Sequence, residues 1–211
     1  MEVHQPAPYR VVIMASGNGT NAERLMGYFR DSDLAEVVLV LTNKKAAGVV
    51  QRAANAGVTC EWMSREVYSS GDRLTARLQA ERADLVVLAG YLKLLPAETV
   101  QAYAGCIVNV HPSLLPKHGG KGMYGMKVHE AVIAEGDSHS GITIHQVNEV
   151  YDEGEVIFQA TIPVEADWTP EDLAQAIHQL EYAHFPDTIE KLLQQRRAEG
   201  IPPGHILHGT R

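Results

Sequence analysis

Cysteine is scarce in this 211-residue chain. Cys60 and Cys106 are the only two, and neither stands in a CxxC or Cys/His cluster, so neither a disulfide framework nor a zinc site is expected. A reducing cytoplasm is the simpler home. Long apolar runs are missing too: the longest are strand-sized, which excludes a membrane-spanning helix. The opening MEVHQPAPYR has no apolar core of the kind a signal peptide needs. Basic residues are outnumbered, 18 Lys and Arg against 26 Asp and Glu, for a formal net charge of −8. That balance argues against a general nucleic-acid or membrane-surface binder. An anionic ligand would need a local site of backbone amides and a few cations. No repeat, low-complexity tract or linker interrupts the chain, and its length suits one domain over 1–211 with a sizeable core.

What is present is alternation. Arg10–Ala15 (RVVIMA), Glu36–Leu41 (EVVLVL), Val58–Met63, Asp84–Ala89 (DLVVLA) and Cys106–Val110 (CIVNV) read as short buried strands. Between them lie helical stretches at Ala22–Phe29 and Ala46–Ala56, the latter closed by Gly57. A third stretch starts at an N-cap on Ser64 and reaches about Arg82. Strands and helices at this spacing imply an α/β fold with a doubly wound, mostly parallel sheet covered on both faces. After Ser140 the pattern changes: Ile142–Gln146 alternates, Val156–Val164 is extended, and NEVYDEG (148–154) between them is turn-like. This predicts an antiparallel extension. Thr169 as N-cap and Pro170 at the first helical position open a long amphipathic helix to about Arg197, and an irregular tail follows over 198–211.

Gly17-Asn18-Gly19-Thr20-Asn21-Ala22 joins the first strand to the first helix and matches G-x-G-x-x-G/A. Glycines admit close backbone approach, and a helix N-terminus offers free amides and partial positive charge to an anion. A dinucleotide site would also need an acid at the end of the second strand, where Leu41-Thr42-Asn43-Lys44 has none. Gly19, Thr20 and Asn21 are therefore candidates for holding one phosphate; a capped tight turn is the alternative.

Asn109 and His111 stand two apart where the fifth strand ends, so both side chains point to one face. Pro112 and Pro116 stiffen the exit. An amide donor beside an imidazole suits a developing oxyanion, the imidazolium also moving a proton. By spacing alone such a pair reads first as structural. Asp152, in the turn-like segment, can fold back onto the same strand ends, where its carboxylate would raise the pKa of His111; a solvated turn acid is the other reading. Cys60 and Cys106 lie in apolar strands and read as core. His118, His129 and His139 have no assignable partner.

SGNGTN after the first strand, VLAGYLKLLP (87–96), NVHPSLLP (109–116) and YDEGEVIFQ (151–159) occur in an order and spacing that resembles the phosphoribosylglycinamide formyltransferase family of purine synthesis. The likeness runs over roughly residues 10–195, and NVHPSLLP is its most specific element. It implies a Rossmann-like formyltransferase fold and transfer of formyl from 10-formyltetrahydrofolate, a co-substrate, to the amine of 5'-phosphoribosylglycinamide, with no metal. It places Asn109, His111 and Asp152 at the catalytic positions, stabilising a tetrahedral intermediate formed by direct attack. Gly19, Thr20 and Asn21 fall on its phosphate loop, and Glu181 on the acid that holds the ribose. Arg65, Leu92, Lys93, Leu94, Leu95 and Asn109 fall on folate-binding positions, and His145 on a second histidine near the catalytic group. The halves would divide as about 8–105 for phosphate and about 106–197 for catalysis and folate. The resemblance implies small-molecule partners only, with the chain a monomer or homodimer. The glycine-rich Lys117–Met126 loop departs from the family pattern and leaves Lys121 and Tyr124 unassigned.

Related formyl-transfer readings are expected to need more chain. A methionyl-tRNA formyltransferase would carry a C-terminal nucleic-acid-binding domain, and a formyltetrahydrofolate deformylase an N-terminal regulatory one. A non-catalytic phosphosugar-binding module with a structural His111 is the alternative from another class.

Overall fold

A computed structural model describes residues 7–204. In chain order it contains β1 (Tyr9–Met14), α1 (Thr20–Tyr28), β2 (Ala35–Thr42), α2 (Gly48–Ala56), β3 (Cys60–Trp62), α3 (Arg65–Tyr68) and α4 (Gly71–Ala80). There follow β4 (Leu85–Leu88), α5 (Ala97–Ala102), β5 (Ile107–His111), α6 (Met126–Glu135), β6 (His139–Gln146), β7 (Val156–Pro163) and α7 (Pro170–Ala198). The strands form one sheet in the order β3-β2-β1-β4-β5-β6-β7. The first five are parallel; β6 runs antiparallel to β5, and β7 antiparallel to β6. The expected doubly wound sheet with an antiparallel extension is present.

The buried strands feed two cores, because successive side chains of a strand point to opposite faces. Val11 and Ile13 of β1, with Leu85 and Val87 of β4, join the core under α1, α2, α6 and α7. Val12 and Met14, with Val86 and Leu88, join the core under α4 and α5. A sheet buried on both sides explains why these strands read as unbroken apolar runs rather than as alternation.

Three local expectations change. The helix expected from Ser64 to about Arg82 is two, because the chain breaks at Ser69–Ser70 and restarts with the Ser70 hydroxyl accepting from the Arg73 amide. The third strand shortens from Val58–Met63 to Cys60–Trp62. Helices α5 and α6 occupy segments to which the sequence pattern gave no element. Gly57 does end α2 in a left-handed conformation, φ 75°. Thr169 and Asp172 close a reciprocal capping box at the start of α7, with Pro170 in its first turn. Of the tail expected to be irregular, Ile201–Gly204 is without regular structure but tied down. Tyr9 donates its hydroxyl hydrogen to the Ile201 carbonyl, and the Gly204 amide donates to Asp84; residues 205–211 lie outside the described region. No described helix is long and apolar enough to cross a membrane.

Candidate active site

β1 is flanked by β2 on one side and β4 on the other, so the connections leaving their carboxyl ends diverge and open a crevice. A cavity of about 500 Å³ occupies it. Its walls come from the β1–α1 loop, the segment after β4, the end of β5, the glycine-rich loop before α6, the β6–β7 connection, and side chains of α6 and α7.

One end suits an anion. Gly19 caps α1 at φ 76°, where an added Cβ would come within 2.5 Å of the Val49 side chain. The turn therefore needs glycine, and the first amides of α1 beyond it have no intrahelical acceptors. Arg52 braces the loop from outside, donating from Nε to the Asn18 carbonyl at 2.9 Å. Asn21 Nδ2 donates to Glu181 Oε2 at 2.8 Å, which joins the start of α1 to the middle of α7. Glu181 is 5% exposed, and burial pushes its carboxyl up to about 7 against the opposing pull of the Asn21 hydrogen bond. Gly19, Thr20, Asn21 and Glu181 all line this end.

At the centre, Ile107, Asn109 and His111 of β5 share one face, and His145 of β6 stands directly across from Asn109. Nδ1 of His145 meets the Gln146 carbonyl at 2.8 Å and must carry hydrogen. Nε2 is then the acceptor for Asn109 Nδ2 at 3.1 Å, which leaves that amide a second hydrogen. Burial lowers the pKa of His145 and keeps the ring neutral, as this arrangement requires. The β6–β7 connection folds back over the same face and brings Asp152 Oδ2 to 3.5 Å from His111 Nδ1 and Oδ1 to 3.7 Å from His145 Nε2. Asp152 does so at φ 58°, a left-handed conformation uncommon for non-glycine residues, which aspartate enters more readily than most. The Gly120 amide donates to its Oδ2 at 2.9 Å.

Asp152 raises the pKa of His111 as expected, but the net shift is downward. The ring is 4% exposed, and burial, the largest influence, lowers its pKa. The Asp152 carboxylate and the His118 carbonyl pull the other way and are outweighed.

The third part of the crevice is apolar and open. Leu92, Lys93 and Leu94 are exposed while Leu95 is buried, and exposed Val150 and Tyr151 line the same cavity. Arg65 starts α3 and is exposed outside the cavity lining, so among the expected site residues it alone is not brought to the crevice. Tyr124 lines the cavity, and Lys121 does not. Residues without an assignable role also gather here. His129, forced down to about 4 by burial, and His178 line the wall beside Glu181. The His118 carbonyl meets His111 Nε2 at 2.9 Å. Ser16 donates from Oγ to Asn43 at 2.7 Å and accepts from the Leu92 amide at 2.9 Å, joining the β1 loop to the segment after β4. No sequence motif marks these; the pairing of histidine with two glycines at 118–120 was the nearest signal.

The family described as formyl transferase matches residues 9–189. The chloroplastic phosphoribosylglycinamide formyltransferase of Arabidopsis thaliana is 37% identical over 208 residues, covering 94% of this chain and 71% of that protein. The trifunctional purine biosynthetic protein adenosine-3 of Drosophila melanogaster is 38% identical over 193 residues, which are 87% of this chain but 14% of that longer protein. Among solved structures, glycinamide ribonucleotide transformylase 1 from Symbiobacterium toebii superposes with a TM-score of 0.81 at 33% identity, covering 90% of this chain and 89% of that one.

Proposed function

The chain belongs to the formyl transferase family, and from that membership we propose that it transfers formyl from 10-formyltetrahydrofolate to the amine of 5'-phosphoribosylglycinamide. The observation that carries the reading is one crevice with three different stretches: an amide-rich, acid-flanked end, an apolar mouth, and a hydrogen-bonded Asn/His/Asp group between them. The first suits a phosphoribosyl group. The second suits a flat heteroaromatic pterin. The third stands where the two would meet.

Folate supplies the activated formyl group; the protein supplies position and electrostatics. Gly19, Thr20 and Asn21 hold the phosphate, and Glu181 accepts from the ribose hydroxyls. Leu92, Lys93, Leu94 and Leu95 bound the folate. As the amine attacks the formyl carbon, the free amide hydrogen of Asn109 and the protonated ring of His111 stabilise the oxyanion. Asp152 holds the charge of His111. Through the same polar group or bound water the attacking nitrogen passes a proton to the folate N10, and collapse of the intermediate breaks the bond between that nitrogen and the formyl carbon. The described site contains no thiol, since Cys60 lies in β3 and Cys106 just before β5, both outside the cavity lining, and the steps above call for no metal. Partners are thus small molecules. Unpaired cysteines suit a cytoplasmic enzyme, monomeric or homodimeric.

One assay tests the reading: purified protein with 10-formyltetrahydrofolate, with and without phosphoribosylglycinamide. Loss of folate formyl only when the acceptor is present is the expected outcome. Formate released without acceptor, or phosphosugar binding with no transfer, would sink it.

A further inference from the structure

We propose that His118 and Asp137 form a positioning pair that fixes the ring of His111 through the His118 carbonyl, making Nδ1 the ring nitrogen that delivers the catalytic proton. The proposal rests on the reading of His111 as proton donor in formyl transfer. A carbonyl only accepts, so a 2.9 Å contact between the His118 oxygen and His111 Nε2 requires hydrogen on Nε2 whether the ring is neutral or charged. The proton that comes and goes then belongs to Nδ1, the atom facing Asp152 at 3.5 Å.

Aiming that carbonyl takes an unusual backbone. His118 sits at φ 55°, a left-handed region uncommon for non-glycine residues, which histidine enters more readily than most and which a fixed side chain helps to hold. The holder is its own imidazole, whose side chain is 5% exposed and whose Nε2 lies 2.7 Å from Asp137 Oδ2. Asp137 follows Gly136, the left-handed residue ending α6, so the pair ties a glycine-rich loop to the end of a packed helix. His118, Glu135 and Asp137 also have the spacing of metal ligands. Lys117 Nζ, however, already bridges Asp137 and Glu135, the latter at 3.3 Å, and places a positive charge beside both carboxylates. A clamp is therefore the better description. Two residues further on, the Gly120 amide holds Asp152 Oδ2 at 2.9 Å. Gly120 is at φ 90°, open to glycine and strained for other residues. One short segment thus fixes both members of the His111–Asp152 pair, the ring by a carbonyl and the carboxylate by an amide.

The titratable groups facing His111 are Asp152 from the β6–β7 connection, His118 from the loop, His145 from β6 and His129 from α6. Asp137 touches none of the reacting atoms; of the two side chains it holds, His118 and Lys117, only that of His118 belongs to a residue in contact with His111. The test is Asp137→Ala in the full chain, with Asp137→Asn as the conservative control, read by imidazole nitrogen NMR with His111→Gln for assignment. In the wild type, neutral His111 is expected to be protonated at Nε2. Asp137→Ala should mix the two tautomers and lower kcat about tenfold to a hundredfold, the scale of a misplaced catalytic group, with KM for both substrates unchanged. Asp137→Asn, whose amide oxygen still accepts from His118, should restore most of both. A lowered melting temperature with the His111 tautomer and titration unchanged would reduce the pair to a structural clasp and overturn the proposal. Should Asp137→Ala fail to fold, His118→Asn gives the same readout, since Asn tolerates the left-handed backbone but is too short for the contact. The NMR measurement needs no substrate, so a wild type lacking formyl transfer would sink the function reading and leave this one to be judged alone.

Discussion

Replacing Asp152 by Asn removes the larger of the two influences that favour the imidazolium of His111 against burial. If transfer needs the protonated ring, activity falls as pH rises through the pKa of His111. Lowering that pKa should move the alkaline fall of the kcat profile to lower pH; an unmoved profile would leave Asp152 a turn residue. His111→Ala is expected to cost on the order of 10²–10⁴ in kcat, measured at saturating substrate, and near-normal turnover would refute the assignment. Glu181 carries a different signature. Its folded pKa of about 7 lies above the ordinary 4.5. The neutral acid therefore contributes stability that is fully present below about 4.5 and is lost as pH rises through about 7. Glu181→Gln should be more stable than wild type at pH 8, by at most on the order of 3 kcal/mol, and equal to it at pH 4. The same variant should raise KM for the phosphoribosyl substrate, which loses its charged acceptor. Residue types at this scale were legible: Asn109 and His111 share a face because they stand two apart on a strand. The direction of the His111 shift was not, because burial depends on what folds over the ring from 148–154 and 117–120, and spacing carries no record of that.

At the scale of elements, the β1–α1 turn is the sharpest case. Gly19→Ala must place a Cβ at φ 76° and 2.5 Å from Val49, so α1 or α2 has to shift. The expected result is a several-fold rise in KM for the phosphorylated substrate with folate affinity unchanged, checked by steady-state kinetics and direct folate titration; equal losses for both ligands would point to general unfolding instead. The strands, the end of α2 and the start of α7 were readable from apolar runs, from Gly57 and from Thr169 with Pro170, since these signals act within a few residues. Helix α5 has only six residues, and α6 follows a loop whose glycines obscure where it starts. Their existence depends on the cores they cover, Val100 on one face of the sheet and Val132 on the other. A contact made across the sheet leaves little local trace.

For the whole molecule, the order of strands does most to create the site. Because β1 lies between β2 and β4, the β1–α1 loop and the segment after β4 leave adjacent strand ends and line one crevice without a domain boundary. Alternating strands and helices made that winding foreseeable. The Ser16 hydroxyl is the atom group the two connections share, giving to Asn43 and receiving from the Leu92 amide. Two ligands that order opposite ends of one hydrogen-bond chain are thermodynamically linked. The factor by which bound folate alters affinity for the phosphosugar must be returned, unchanged, in the other direction. Calorimetry of each ligand with a non-reacting analogue of the other would give that factor twice over. In Ser16→Ala both values should shrink together toward one, and a pair of factors that stayed as large as in wild type would show that the two ligands communicate by another route.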